Sequence, residues 1–267
     1  MKCNEIMEYL EALAPAHCAC GWDNPGLLAG RREKEVRTIL LTVDLDDAAV
    51  LKAKEEKADL IVSHHPLIFK PIKWVTDEDF IGSRLVSLIQ ADISYFAMHT
   101  NFDAAPGCMA DIAAKRLGIL SGEPLEVTGE ENGIPFGIGK VGELEKPVTG
   151  IEFAKAVKEK FGLPGLTVYG AFGWEQKIFK RAAVCPGSGG SLIKAAITMG
   201  AQVMVTGDIG HHEGIDANAQ GLTIFDAGHY GLEYVFMEYM ERYLKEKLGD
   251  TVRLVKMPVH FPAQFLV

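Results

Sequence analysis

The sequence predicts an α/β protein in which short buried strands alternate with helices. Apolar runs rich in Val, Ile and Leu are separated by stretches with helical periodicity, a pattern typical of buried strands joined by helices. The composition, 48% hydrophobic and 24% charged over 267 residues, is that of a globular protein and excludes disordered and collagen-like chains. The longest stretch without Asp, Glu, Lys or Arg has 14 residues, whereas a membrane span needs about 20, so none is predicted.

The first half of the chain carries the clearest elements. Ile6, Leu10 and Leu13 follow helical spacing, and Pro15 ends that helix. Gly118 has the position of a helix C-cap. In chain order we predict a helix over 3–14, a loop around 22–26, a strand over 36–43, a helix over 46–57, a strand over 60–63, a helix over 80–91, a strand over 93–98 and a helix over 109–117.

The second half continues the alternation of strands and helices from residue 134 onward. Gly200 follows a run with helical spacing and marks the end of another helix. We predict a helix over 151–161, a strand over 182–185, a helix over 191–199, strands over 203–206 and 224–225, a long helix over 230–247 and a last strand over 252–255.

A weak internal repeat suggests two similar α/β halves. Residues 58–65 resemble residues 201–208, because each segment is a strand that ends in polar residues. Further on, each half has a strand that ends in Ala-x-His and is followed by a carboxylate four residues after the histidine. The spacing between the two echoes differs between the halves, so duplication is a hypothesis. The halves are 1–125, with His64, His65 and Asp103, and 126–267, with His229 and Glu233.

Charge and cysteine content limit the partners and the compartment. Lys plus Arg is 27 and Asp plus Glu is 36, a formal net charge of −9, which argues against nucleic-acid binding because that needs a basic face. The five cysteines include no Cys-x-x-Cys pair, and the N-terminus lacks the apolar core of a secretory signal. We therefore expect free thiols, no membrane partner and a cytoplasmic location.

His64 and His65 follow a predicted strand and precede Pro66. Adjacent side chains of a regular strand point to opposite faces, so both rings can reach one site only if the strand ends there, which Pro66 favours. Two imidazoles at such a break could each bind a different metal ion. The alternative is one buried, hydrogen-bonded histidine and one exposed histidine.

Two carboxylates complete the pattern. His229 and Glu233 open the predicted long helix, and their i, i+4 spacing puts both side chains on one helical face, where they could reach one ion. Asp103 lies among turn residues, which predicts a loop, and a loop carboxylate could bridge two cations. The alternatives are a surface His–Glu contact and an aspartate that caps a helix or a turn.

Taken together, three imidazoles and two carboxylates at strand ends and in a loop favour a metal site with nitrogen and oxygen ligands. No cysteine lies beside them in the sequence, so a structural zinc cage is not predicted. Neutral imidazoles with ionised carboxylates favour Zn, Fe, Mn, Co or Ni over Ca or Mg. The glycine-rich turn over 186–191 could hold a phosphate, and the alternative is a plain tight turn.

Five ordered motifs resemble the GTP cyclohydrolase 1 type 2 homolog family, also called Nif-three-like dinuclear metal-centre proteins. The motifs span nearly the whole chain and are Trp22-Asp23-Asn24-x-Gly26-Leu27, Ser63-His64-His65-Pro66, His99-Thr100-Asn101-x-Asp103, Thr206-Gly207-Asp208 with His212, and Ala227-Gly228-His229-x-x-x-Glu233. The resemblance implies two intertwined α/β repeats with mixed sheets, a metal site between them and a toroidal homohexamer. The stretch over 118–181 is too short for the inserted domain of some members, which implies the compact form. One departure is Cys108, where the family usually has a second glycine.

The resemblance also implies a site and a function. The site would hold two divalent metal ions per chain, with the ligands His64, His65, Asp103, His229 and Glu233. His99 and His212 would be near neighbours, and we expect them to transfer protons. The expected function is metal-dependent hydrolysis of a small-molecule substrate, a nucleotide or a phosphoester. The alternatives are a non-enzymatic metal-binding scaffold or regulatory protein, and a di-iron redox enzyme.

Overall fold

The structure, a computed structural model, describes residues 1–263 and divides into two compact units. The first unit joins Met1–Phe102 to Tyr234–Val259, and the second joins Asp103–Glu233 to the segment that begins at His260. Each unit therefore takes two separate stretches of the chain. The predicted halves 1–125 and 126–267 rest on a sequence repeat and stay a prediction, and residues 264–267 of the second half lie outside the described residues.

Helices and strands alternate along the chain, with short 3₁₀ turns at Ala16–Cys18, Trp174–Gln176 and Gly190–Leu192. The helices are α1 (Cys3–Leu13), α2 (Asp47–Glu55), α3 (Phe80–Gln90), α4 (Thr100–Ala104), α5 (Met109–Leu117), α6 (Gly150–Lys160), α7 (Ile193–Thr198), α8 (His211–Ala219), α9 (His229–Glu233) and α10 (Val235–Leu248). The strands are β1 (Gly26–Ala29), β2 (Thr38–Thr42), β3 (Leu60–Ser63), β4 (Ser94–Ala97), β5 (Ile119–Glu131), β6 (Ile134–Thr149), β7 (Thr167–Tyr169), β8 (Ile178–Ser188), β9 (Val203–Gly207), β10 (Thr223–Asp226) and β11 (Arg253–Lys256).

The sheet of the first unit has the strand order β1-β4-β3-β2-β11. Strands β4, β3, β2 and β11 pair in parallel, whereas β1 pairs with β4 in the antiparallel sense. Every residue of β2, β3 and β4 is buried, as their continuous apolar runs predict. Leu40, Ile61 and Tyr95 of these strands belong to one apolar core with Leu88 of α3.

The sheet of the second unit has the order β5-β6-β8-β9-β10-β7. Strands β8, β9 and β10 pair in parallel, and the other pairings are antiparallel. The long β5–β6 hairpin turns at Asn132-Gly133, whose φ angles of 53° and 79° suit the type I′ turn that short hairpins prefer. Both sheets are mixed and helices lie between the strands in sequence, so the predicted mixed α/β fold is confirmed.

Two local predictions are wrong. Asp103 lies in helix α4 and not in a loop. The helix is capped by a residue that is distant in sequence. The Asp23 carboxylate accepts hydrogen bonds from the backbone N–H of Thr100 at 2.9 Å and from the Thr100 hydroxyl at 2.6 Å, and the two residues are 77 positions apart. The predicted long helix over 230–247 is interrupted between α9 and α10 at Tyr234, which keeps near-helical angles of φ −60° and ψ −18°.

Polar residues follow the carboxyl ends of neighbouring parallel strands in both units. In the first unit Ser63, the last residue of β3, pairs with Ala97, the last residue of β4, so the residues that follow leave the sheet at one edge. In the second unit Asp226, the last residue of β10, pairs with Thr206, the residue before the end of β9. This edge is where open α/β sheets place their sites. Among the described residues, no helix has the length and hydrophobicity needed to span a membrane.

Candidate metal centre

The backbone after β3 is held in a fixed turn by Tyr95. The Tyr95 hydroxyl donates to the carbonyl oxygen of His65 at 2.8 Å and accepts the backbone N–H of Leu67 at 2.9 Å. The Ser63 hydroxyl donates to the same His65 carbonyl at 2.7 Å. Burial raises the pKa of Tyr95 to about 12, so its hydroxyl stays protonated at neutral pH. The strand thus ends at the histidine pair, as Pro66 predicts.

Three imidazole rings cluster at this edge of the first unit. The ring centroids of His64 and His65 are 4.9 Å apart, and each lies 5.5 Å from the ring of His99. The predicted pair and the predicted proton-transfer residue are therefore neighbours. Of the alternative of one buried, hydrogen-bonded histidine and one exposed histidine, the first part describes His64, which is completely buried, whereas the His65 side chain is 19% exposed.

Each ring of the cluster is oriented through its Nδ1 atom. His64 Nδ1 lies 2.8 Å from the carbonyl oxygen of Met98, which can only accept, so Nδ1 is the donor. His65 Nδ1 and His99 Nδ1 each lie 2.8 Å from a carboxylate oxygen, of Asp44 and Asp23 respectively. A neutral imidazole that donates through Nδ1 keeps the lone pair on Nε2, the arrangement found in metal-binding histidines.

Asp23 is the most constrained of these acceptors. Its side chain is fully buried and accepts from His99 Nδ1 in addition to the two Thr100 donors. Burial raises the pKa of Asp23, but the hydrogen bonds from His99 and Thr100 outweigh burial and bring it to about 2. Asp23 is therefore ionised at neutral pH and fixes the orientation of the His99 ring. In the sequence, Asp23 stands out only as part of the Trp22-Asp23-Asn24 motif, and nothing in the sequence pattern indicates a role for Asp44.

In the second unit, His229 and Glu233 meet as their spacing predicts. His229 Nε2 lies 3.2 Å from Glu233 Oε2, and His229 Nδ1 lies 2.6 Å from Asp208 Oδ2. Glu233 is 3% exposed. A buried carboxylate and a second carboxylate thus flank one imidazole, which makes this a strongly negative site that suits a cation.

The backbone around this pair is shaped to admit it. Gly187 has a φ of +73°, and a Cβ atom there would lie 2.5 Å from Glu233 Oε1 and 3.5 Å from His229 Nε2. Only glycine leaves room for the carboxylate at that distance. Asp208 also adopts a left-handed φ of 58°, uncommon outside glycine, and from this position it reaches His229.

Asp226 joins the two loops that carry Asp208 and His229. One of its carboxylate oxygens accepts the backbone N–H of Ile209 at 3.0 Å, and the other accepts the N–H of Gly228 at 2.9 Å. Asp226 is the last residue of β10. The sequence did not indicate its role, because its hydrogen-bond partners are backbone groups.

Asp103 lies in the second unit at the start of its first stretch. Burial raises the pKa of the Cys185 thiol, and the negative charges of Asp103 and Glu233 raise it further. Two of the predicted carboxylate ligands therefore act on the same buried thiol. The five cysteines all lie in the described part of the chain and form no disulfide there, and the buried Cys108 immediately precedes α5.

His212 and the glycine-rich turn lie in different surroundings. His212 is exposed in the first turn of α8, where its ring lies 5.2 Å from that of His211, and its predicted role stays a prediction. In the turn, a Cβ atom on Gly190 would lie 2.7 Å from Glu213 Oε1. A carboxylate therefore stands beside the turn that could have held a phosphate.

Known proteins resemble this chain over nearly its whole length. The sequence profile described as Duf34/NIF3 (NGG1p interacting factor 3) matches residues 1–261. A Clostridium perfringens relative named GTP cyclohydrolase 1 type 2 homolog is 33% identical over 255 residues, which are 96% of this chain and 95% of the relative. A solved structure of a Bacillus cereus protein related to NIF3 has a TM-score of 0.91 at 25% identity and covers 100% of this chain and 99% of its own. Reduced HcgD from Methanocaldococcus jannaschii has a TM-score of 0.83 at 28% identity, over 96% of this chain and 97% of its own. These matches show, as the five motifs predicted, that the chain belongs to the Duf34/NIF3 family.

Proposed function

We propose that this chain binds two divalent cations through His64, His65, Asp103, His229 and Glu233, and that it is a metal-dependent hydrolase. The observation that carries the proposal is the orientation of the three histidines. Each has its Nδ1 atom within 2.8 Å of a fixed acceptor, which is the Met98 carbonyl, Asp44 or Asp208. Metal-binding histidines are oriented in this way, because the outer hydrogen bond fixes the tautomer that leaves Nε2 for the ion.

Contacts within the first unit support a shared centre. The ring of His64 lies 5.3 Å from the ring of Phe236 and 6.3 Å from that of Phe102. Phe102 is bonded to Asp103, and Phe236 follows Glu233 by three residues. Because consecutive Cα atoms are about 3.8 Å apart, both carboxylates lie within a few residues, along the chain, of rings that contact His64, which supports the proposal. We therefore propose that His64 and His65 share one centre with Asp103, His229 and Glu233.

The chemistry of the proposed ligands fits a pair of transition-metal or zinc ions. Three imidazole nitrogens and two carboxylates form a mixed nitrogen and oxygen set, which suits Zn, Fe, Mn, Co or Ni. When bound, such cations lower the pKa of water and stabilise negative charge on a substrate. Asp44 and Asp208 hold the ligand rings, and His99, held by Asp23, can accept or release a proton at Nε2.

The names of relatives support a nucleotide or phosphoester as the substrate. The Clostridium perfringens relative is named a GTP cyclohydrolase 1 type 2 homolog, which associates the family with a purine nucleotide. We propose a small-molecule substrate of this class. We also propose that the chain assembles into a toroidal homohexamer in the cytoplasm, on the resemblance alone.

One observation favours a second candidate function. The similar structure of HcgD is described as that of the reduced protein. We keep di-iron redox chemistry as the alternative for this chain, which a redox description of a relative favours. Iron as the native metal, together with a product that forms only in the presence of dioxygen, would support it over hydrolysis.

The proposal is tested by metal analysis of the untagged chain purified from its own cell. We expect about two ions per chain for the wild type and a large loss for His65→Ala. Asp216→Ala is the matched control, since Asp216 is exposed on α8 of the second unit and should leave the metal content unchanged. A screen of GTP and phosphoesters follows on the loaded protein. If the chain holds two ions but converts neither GTP nor any phosphoester of the panel, the result would favour the non-enzymatic metal-binding scaffold.

A further inference from the structure

The second unit contains a pocket of about 210 Å³ beside His229. We propose that this pocket binds a hydrogen-bond-donating or cationic group, such as an amine or an amidine, carried on a small planar or apolar body. Under the proposed function this would be the part of the substrate that lies beside the reacting bond. The pocket itself can be tested without metal or turnover.

The walls of the pocket are largely apolar. They are formed by Pro164, Tyr230, Phe261 and Pro262, and the rings of Tyr230 and Phe261 meet edge to face with centroids 5.7 Å apart. Drug-sized ligands occupy pockets of roughly 300–1,000 Å³, so this smaller one suits a single ring or a side-chain-sized group. Aromatic rings in the wall also favour a cation through their negative faces.

The polar groups of the pocket are acceptors with negative charge. Asp208 and Asp226 contribute carboxylates, and the lining residues, all within the described part of the chain, include no lysine or arginine. A carboxylate has about four lone-pair sites on its two oxygens. Asp208 uses one on His229 Nδ1, and Asp226 uses two on the backbone N–H groups of Ile209 and Gly228. Acceptor capacity therefore remains for a ligand that donates.

The same charges exclude an anionic group from the pocket. In the metal-free chain, a phosphate or carboxylate placed there would face two like charges, and the one basic group among the described lining residues, the His229 imidazole, is already within 2.6 Å of Asp208. Water screens these charges less in a cleft than in bulk. With the proposed centre loaded, a substrate phosphate would therefore be drawn to the cations rather than to the two carboxylates of the pocket. The proposed substrate would therefore bind to the pocket through an uncharged or cationic part, and its anionic part would not bind to the two pocket carboxylates.

The test uses three probes that share a benzene ring and differ in charge, which are benzamidine, benzamide and benzoate. Calorimetric titration of the full-length chain at neutral pH and low salt should give the order benzamidine, benzamide, benzoate from tightest to weakest. We expect at least about a tenfold ratio between benzamidine and benzoate. The titrations are repeated after chelation, because a carboxylate probe can bind a cation directly.

Asp208→Asn removes one charge with little change of shape. Asparagine tolerates the left-handed backbone of this position, and its amide oxygen still accepts from His229 Nδ1. We expect benzamidine binding to fall several-fold and the ratio to benzoate to shrink. Asp216→Asn makes the same change in net charge on the exposed face of α8 and should leave the ratio unchanged.

Three results would overturn the pocket proposal. These are benzoate binding after chelation as tight as that of benzamidine, equal effects of the two substitutions, and no binding of any probe. The proposed function fails separately. A chain that holds no metal but binds benzamidine through Asp208 would overturn the metal centre and leave the pocket in place.

Discussion

Replacing Gly187 by alanine should weaken the binding of one ion at the proposed centre while changing the fold only modestly. At φ +73° an added Cβ costs about 1–2 kcal/mol in backbone conformation. The same Cβ would lie 2.5 Å from Glu233 Oε1, so the carboxylate must move. Because Glu233 ends in a flexible side chain, this movement costs the fold little. It does cost the proposed centre a ligand, for which we expect a loss of about 10- to 100-fold in metal affinity.

A matched variant separates the two effects. Gly173 has a φ of +81°, and a Cβ atom there would meet nothing within 4 Å, so Gly173→Ala carries the backbone cost alone. In chelator, thermal unfolding should show both variants lowered by about 2–8 °C. With metal added, only Gly187→Ala should lose the stabilisation that the ion gives, about 1.4 kcal/mol for each tenfold in affinity. Equal metal affinity in Gly187→Ala, Gly173→Ala and the wild type would refute the assignment of Glu233.

Four further predictions follow from the site and the proposed assembly. Asp103→Ala should lower the metal content from about two ions per chain toward none, whereas Glu233→Ala should mainly weaken one ion; undiminished metal in both variants would exclude them as ligands. His99→Ala should keep the metal and lose turnover, and a loss of metal as complete as in Asp103→Ala would make His99 a ligand. Since the pKa of Asp23 is lowered from 3.8 to about 2 in the folded chain, its ionised form contributes about 2 kcal/mol of stability above pH ~4, which is lost as pH falls toward 2. Chemical unfolding should therefore show the difference between wild type and Asp23→Ala shrinking at low pH, and a constant difference would contradict this. Light scattering at micromolar concentration should give a mass near six times the 29.1 kDa of one chain, and a monomer alone would count against the ring.

The sequence predicted those parts of the molecule that depend on interactions between residues close together in the chain. Strand β3 is a run of apolar residues ended by polar ones, and this pattern identified the buried strand and the histidines at its end. His229 and Glu233 share a helical face because of their spacing, which needs no tertiary information. By contrast, β5 is half exposed and irregularly paired, so its pattern does not alternate clearly. The Asn-Gly pair at 132–133 is nevertheless a local hairpin signal, and it marks the turn between β5 and β6.

The residues that orient the imidazoles could not be predicted, because they are distant in sequence. Asp23 lies 76 positions from His99, and Asp44 and Asp208 each lie 21 positions from their histidines. A sequence pattern ranks a histidine as a ligand but does not show which acceptor holds its other nitrogen. For the same reason the sequence did not predict that Asp103 is helical. The N-terminus of its helix is capped by Asp23, which lies 77 positions from Thr100 in the sequence.

The pairing of β11 with β2 has a consequence for synthesis on the ribosome. Strand β11 starts at Arg253, yet it covers the edge of β2, which ends at Thr42. The sheet whose strand β3 leads into His64 and His65 therefore lacks β11 until residue 256 has been synthesised. Throughout elongation β2 presents an open edge that can pair with another nascent chain, so this edge is a hazard for aggregation. We expect cotranslational chaperones to act chiefly at β2. A product that terminates before β11 would leave this edge of β2 unpaired.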